Sequence, residues 1–196
     1  MKRAWAHGLV FAMASAAATL CGAPREAFAS VSIAVTFDAL VHESNAVVLV
    51  TAVEQKSIWE GGRIYTYSRL HVDSAIAGDL EPENEVWVRT LGGAVGKVGQ
   101  IVEGEAGFAV GRPSLVFLRR ASTGNYVVTA RAQGQFGLYV DDQSAVHVQK
   151  SGALGGLFAP RGANANLPLA SDVIHGRVVS DAARDIATAW TRLHAP

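Results

Sequence analysis

The chain has 196 residues, 17 basic and 17 acidic side chains and 49% hydrophobic residues, enough for one domain with a real core. Three of the basic groups (Lys2, Arg3, Arg25) and one acidic group (Glu26) fall in the first 29 residues, leaving 14 against 16 in the other 167. That balance excludes a strongly basic nucleic-acid binder and a polyanionic tail, and the apolar content excludes a disordered chain.

The charged fraction, 17%, is below the roughly 25% usual for soluble proteins, and glycine, at 20 residues, is above its usual share. Both point to a mainly β, turn-rich domain.

Lys2 and Arg3 precede an apolar run from Leu9 to Leu20, and Ala27-Phe28-Ala29 places small residues at the two positions a signal peptidase reads. These are the three parts of a secretory signal peptide spanning 1–29, with cleavage between Ala29 and Ser30 and a secreted or periplasmic product. The apolar run is shorter than the ~20 residues a bilayer span requires, and no later segment reaches that length, so no integral membrane segment is expected in the mature chain. Cys21, the single cysteine, follows the bulky Leu20 rather than the small residue a lipid-attachment site needs, and cleavage discards it. The mature chain then folds without disulfides, held by its core alone.

Thr36 caps an expected helix reaching Ser44, with Phe37, Leu40, Val41 and Ser44 on one face. An apolar strand, 46–53, fades into polar residues up to Trp59. Glu60-Gly61-Gly62-Arg63 reads as a hairpin turn, and 63–75 returns antiparallel with strict alternation. A third strand covers 85–91. Residues 92–111 form a Gly-rich excursion, followed by strands at 114–119, 126–132, 135–140 and 145–149. Six or seven short strands with turns between them predict a small antiparallel barrel resembling the oligonucleotide/oligosaccharide-binding (OB) fold, with an N-terminal and a C-terminal helix. The expected organisation is a β-barrel domain at 30–150, a Gly/Ala/Pro linker at 151–170 and a helical tail at 171–196. In the tail, Ala183, Ile186, Trp190 and Leu193 share one helical face.

Asp38-x-Leu40, Val47-Val48, Trp59-x-x-Gly62-Arg63-Ile64-Tyr65-Thr66, Gly78, Gly92-Gly93-x-x-Gly96, Gly111 before Val116-Phe117-Leu118, Tyr126 and Gln133-Gly134-x-Phe136 form an ordered pattern over 36–140. It resembles a family of uncharacterised exported bacterial proteins whose members sometimes carry the domain beside a matrixin-type metalloprotease. The strand order is also similar to the barrel of netrin-like domains and tissue inhibitors of metalloproteinases. The resemblance implies an accessory or inhibitory role towards a secreted protease. Those inhibitors chelate the protease zinc through an N-terminal cysteine, whereas the expected N-terminus here is Ser30.

No catalytic constellation stands out. His42-Glu43 begins like a zinc-protease helix, but Ala46 stands where the second histidine belongs. His71, His147, His175 and His194 lie singly, so no metal is expected. Gly92 to Val98 resembles a phosphate loop, yet Leu91 and Val98 replace its required Gly and Ser/Thr, so no nucleotide or other cofactor is expected. Gly-x-Ser-x-Gly and Ser-x-x-Lys are both absent. Asp141-Asp142 and Glu103-x-Glu105 read as solvated turn acids, because sequence neighbours at a turn lack the converging environments that split two pKa values.

What remains is a stripe. Alternation puts Arg63, Tyr65, Tyr67, Arg69 and His71 on one face of the second strand. Aromatics among bases stack sugars or bases, and balanced charge removes nucleic acid from the choice. The expectation is a non-enzymatic exported module that recognises a protein or saccharide. Its candidate ligand-binding residues are Trp59, Tyr65, Tyr67, Gly92, Gly93, Gly96 and Lys97. A secreted hydrolase with an unrecognised site is the alternative of a different class, and the oligomeric state is left open.

Overall fold

The computed structural model describes residues 32–159 and 166–195; the expected leader, Cys21 and the cleavage position lie outside the described residues. A short strand β1 (Ser32–Ile33) leads into helix α1 (Phe37–His42), whose cap is Thr36, with the hydroxyl accepting from the Ala39 N–H at 3.2 Å. Two long strands follow, β2 (Ala46–Glu60) and β3 (Arg63–Gly78), then β4 (Glu85–Leu91), a three-strand antiparallel meander. The Gly-rich excursion contains a small hairpin, β5 (Gly93–Val95) and β6 (Val98–Gln100). Strand β7 (Pro113–Arg120) pairs antiparallel with β2, and β8 (Tyr126–Val128) lies between β7 and β4.

The pairing order β7-β2-β3-β4-β8 returns to β7 and makes a five-stranded OB-like barrel. The ring is not strictly closed, because β4 and β8 meet in parallel through one residue pair, Val88 with Tyr126. Its interior holds Val48, Val50, Leu70, Val72, Val88, Val116, Leu118 and Val128.

The sequence expectation of six or seven barrel strands is refined here. Strands β9 (Gln135–Val140) and β10 (Val146–Lys150) stand outside the ring, with β9 on the first half of β7 and β10 at the sheet's edge. The strand expected over 126–132 stops at Val128, because Ala130 and Arg131 take left-handed backbone (φ 54° and 58°) and start a 3-10 turn, Arg131–Gly134. A side chain at Gly134 would collide with the Thr129 carbonyl, so the chain crosses itself closely there and leaves the barrel.

A second core lies on the outer face of β2, β7, β9 and β10. There Val47, Leu115, Phe117, Phe136 and Val148 are covered by Leu40 and Val41 of α1 and by two further helices, α2 (Ala170–Ile174) and α3 (Val179–Leu193). This explains the uninterrupted apolar run in β2: one set of side chains fills the barrel and the other meets the helices. Ile174 and Ile186 are fully buried and Trp190 packs against the same cluster, so the helices of 171–195 contribute to this core. Part of the expected linker is also structured, as β11 (Leu157–Phe158) pairs in parallel with β1 and Leu169 bridges to Thr36. Among the described residues no helix is long and apolar enough to cross a membrane.

Candidate functional site

Beyond Thr51, β2 leaves β7 and runs on with β3 alone on that side, so the β2–β3 hairpin overhangs the barrel. An irregularity between Ala52 and Glu54 resets which residues face out. From there the register aligns three columns on the outer face: Ile58–Tyr65–Leu91, Lys56–Tyr67–Arg89 and Glu54–Arg69–Trp87.

This face is braced by charge. Glu60 accepts from the Tyr67 hydroxyl at 2.6 Å and from Arg89 Nη2 at 2.5 Å, while the Arg89 guanidinium lies over the Tyr65 ring, 3.5 Å from its centroid. The Tyr67 phenol and then Arg89 hold the Glu60 carboxyl below its ordinary value. Burial first, then the Glu60 bond, pushes the Tyr67 phenol up, so it stays a donor at neutral pH. Arg69 likewise pairs with two carboxylates, Glu54 at 3.0 Å and Glu85 at 2.6 Å. Between these clusters lies a shallow groove of about 260 Å³ lined by Lys56, Ile58, Tyr67 and Trp87, with Trp87 40% exposed. Lys56 and Arg63, on the same face, form no ion pair with a carboxylate among the described residues.

The sequence-predicted residues divide between two faces. Tyr65 and Tyr67 belong to the outer face. Trp59 pairs with Ile64, in the set that also pairs Ser57 with Thr66 and Gln55 with Ser68, and so lies on the side of the barrel mouth. There the Ser57 and Thr66 hydroxyls are 2.9 Å apart and Thr66 donates to the Gly92 carbonyl at 2.7 Å. Gln100 accepts from the Ile64 N–H at 2.9 Å. The β5–β6 hairpin is thereby laid across the mouth. A side chain at Gly93 (φ +128°) would run into the Ser57 and Thr66 hydroxyls, so its role is close approach of backbone to barrel. Gly96 and Lys97 form the exposed tip of that hairpin. Beneath it a throat of about 230 Å³ is lined by Gln55, Thr66, Thr90, Gln100, Glu105 and Phe108, among others.

Sequence reasoning missed Trp87, Arg89, Lys56 and Ile58. The alternation of β4, with Val86, Val88 and Thr90 buried, marks Trp87 and Arg89 as outward, but only the cross-strand register shows that they join the tyrosines.

Two other features lie apart. His147, read in sequence as a lone surface histidine, sits between Asp141 Oδ2 (2.8 Å to Nε2) and the Gly176 carbonyl (3.1 Å to Nδ1), stacked on Tyr139. Two acceptors facing the ring favour the imidazolium, and the Asp141 carboxylate first and the Gly176 carbonyl second raise the His147 pKa. Asp141, read as a solvated turn acid, is correspondingly held low, chiefly by His147 and then by the Ala145 N–H. Nearby, an apolar cleft of about 740 Å³ runs between the β9–β10 hairpin and α3, walled by Leu49, Ile76, Leu138, Val146, Val179 and Ala183. Its Asp73 is already engaged by the Thr51 hydroxyl at 2.8 Å, so the cleft offers shape with little to orient a ligand. Among the described residues no group of three or more His, Cys, Asp or Glu side chains is placed to hold a metal ion.

Comparison of the chain with protein-family models, with curated proteins and with solved structures found no match in any of the three.

Proposed function

We propose that the protein is an exported binding module, not an enzyme, which recognises a saccharide on the outer face of β2–β4. The supporting observation is the aromatic and cationic groove of Lys56, Ile58, Tyr67 and Trp87, centred on the second and third barrel strands. OB-type barrels take oligosaccharides and oligonucleotides on that face. A pyranose presents an apolar C–H face and a polar edge, which match the Trp87 ring and the fixed Glu60–Tyr67–Arg89 cluster. Three carboxylates, Glu54, Glu60 and Glu85, are interspersed among the cations of this face and leave no continuous basic track for a phosphate backbone.

The test is glycan binding by the purified protein and by Trp87→Ala, with melting temperature followed in parallel. Saccharide binding that is weakened at least fivefold at unchanged melting temperature supports this reading, and binding indifferent to Trp87 refutes it.

A protein partner is the second reading, in keeping with the resemblance to domains found beside metalloproteases. What favours it is the apolar exposure around the mouth: Trp59 at 51%, Val98 at 51% and Ile101 at 99%. With cleavage after Ala29 the N-terminus would be Ser30, which lacks the chelating cysteine of zinc-binding protease inhibitors.

A further inference from the structure

We infer that the saccharide is acidic: a chain of carboxylate-bearing pyranoses, one ring of which stacks on Trp87 while its carboxylate pairs with Lys56. This deepens the proposed function and rests on it.

The charge inventory of the outer face carries the inference. Arg69 is shared by Glu54 and Glu85, and Arg89 is bound to Glu60 and spread over Tyr65. Both guanidinium charges are matched by carboxylates before any ligand arrives. Arg89 Nε is buried without a partner, and Arg89 does not line the groove. Lys56 differs. It is exposed, lines the groove with Trp87, and has no carboxylate within ion-pair distance among the described residues.

The unpaired Lys56 ammonium on the rim of an otherwise apolar groove is free to take a charge partner from a ligand, and a hexuronate supplies one attached to the same ring that stacks. Arg63, the second uncommitted cation, shares the face but lies four residues from Tyr67 along β3, ~13 Å away at strand rise, outside the groove, so Lys56 is the cation that serves the ring stacked on Trp87.

The fixed carboxylates set the limit on charge density. Glu54, Glu60 and Glu85 stand on the same face, so its attraction for an anion is local to Lys56 beside Trp87 rather than spread along a basic track.

The experiment titrates the purified protein with three probes of equal length: an oligohexuronate, a neutral oligoglucan and a single-stranded oligodeoxynucleotide. The variants are Lys56→Gln and Trp87→Ala, with melting temperature as the folding control. Lys56 makes no side-chain hydrogen bond among those described, so its replacement leaves folding intact.

The expected result is hexuronate binding about tenfold or more above the neutral glycan, a preference abolished by Lys56→Gln and reduced as salt is raised. Trp87→Ala weakens both glycans. Equal affinity for the acidic and neutral chains, or a preference that survives Lys56→Gln, overturns the acidic-sugar assignment while leaving saccharide binding on this face standing. Oligonucleotide binding as tight as that of the hexuronate also overturns it. Glycan binding unaffected by Trp87→Ala, or absent altogether, overturns both readings.

Discussion

Trp59 and Tyr65 belong to the same hairpin and stand on opposite faces of it: Trp59 pairs with Ile64 on the mouth side, and Tyr65 pairs with Ile58 on the outer side. Substitutions at the two positions therefore act on different surfaces. Trp59→Ala leaves saccharide binding within about twofold, whereas Tyr67→Ala, which removes the groove floor, lowers it about fivefold or more. Parallel binding and melting measurements check this. Equal loss from both variants would mean that the ligand reaches round the hairpin tip.

Gly93 is where the loop touches the barrel. Gly93→Ala adds a side chain at positive φ and drives it against two hydroxyls, and the expected cost is roughly 2 kcal/mol or more. Urea unfolding reads this directly. The predicted loss is in stability, with groove affinity unchanged, because Gly93 meets the Ser57 and Thr66 hydroxyls on the mouth side, opposite the groove.

Tyr139, His147, Asp141 and Gly176 give stability a pH dependence of known sign. His147 is raised in the folded state, so its contribution is fully present below its ordinary value near 6.5 and disappears as pH rises through the higher folded value. Asp141 is lowered, so its contribution is present above its ordinary value near 3.8 and disappears as pH falls through the folded value. The urea midpoint is expected to fall between pH 6 and pH 9, and His147→Gln to flatten that slope. An unchanged slope in the variant would assign the dependence to other groups.

Ile186 is fully buried in the outer core, where it joins α3 to the sheet. Ile186→Ala is expected to cost about 2–5 kcal/mol, the range for a large core truncation. A loss that small surface changes on α3, such as Thr188→Ala, do not produce would confirm that α3 and the barrel unfold together.

Export with cleavage after Ala29 predicts Ser30 as the first residue of the secreted protein, by mass spectrometry. A product retaining Cys21 with an attached lipid would contradict it.

Much of the strand pattern was legible from residue order, because it depends on local chemistry. Thr36 stands at a cap, Glu85–Leu91 alternates, and Gly61-Gly62 tolerates a tight turn; each element formed where that chemistry places it. The same locality hid the rest. Periodicity shows which side chains share a face of one strand but carries no information on which strand lies beside it. It therefore aligned Tyr65 with Tyr67 and missed Trp87 and Lys56, which neighbour them only through hydrogen-bonded register. The irregularity after Ala52 moved Trp59 to the other face, a shift of one residue that exchanges faces because strand side chains alternate with period two. Tertiary contact alone decided that α3 closes a second core and that His147 faces Asp141 and Gly176, since burial and ion pairing depend on segments distant in sequence.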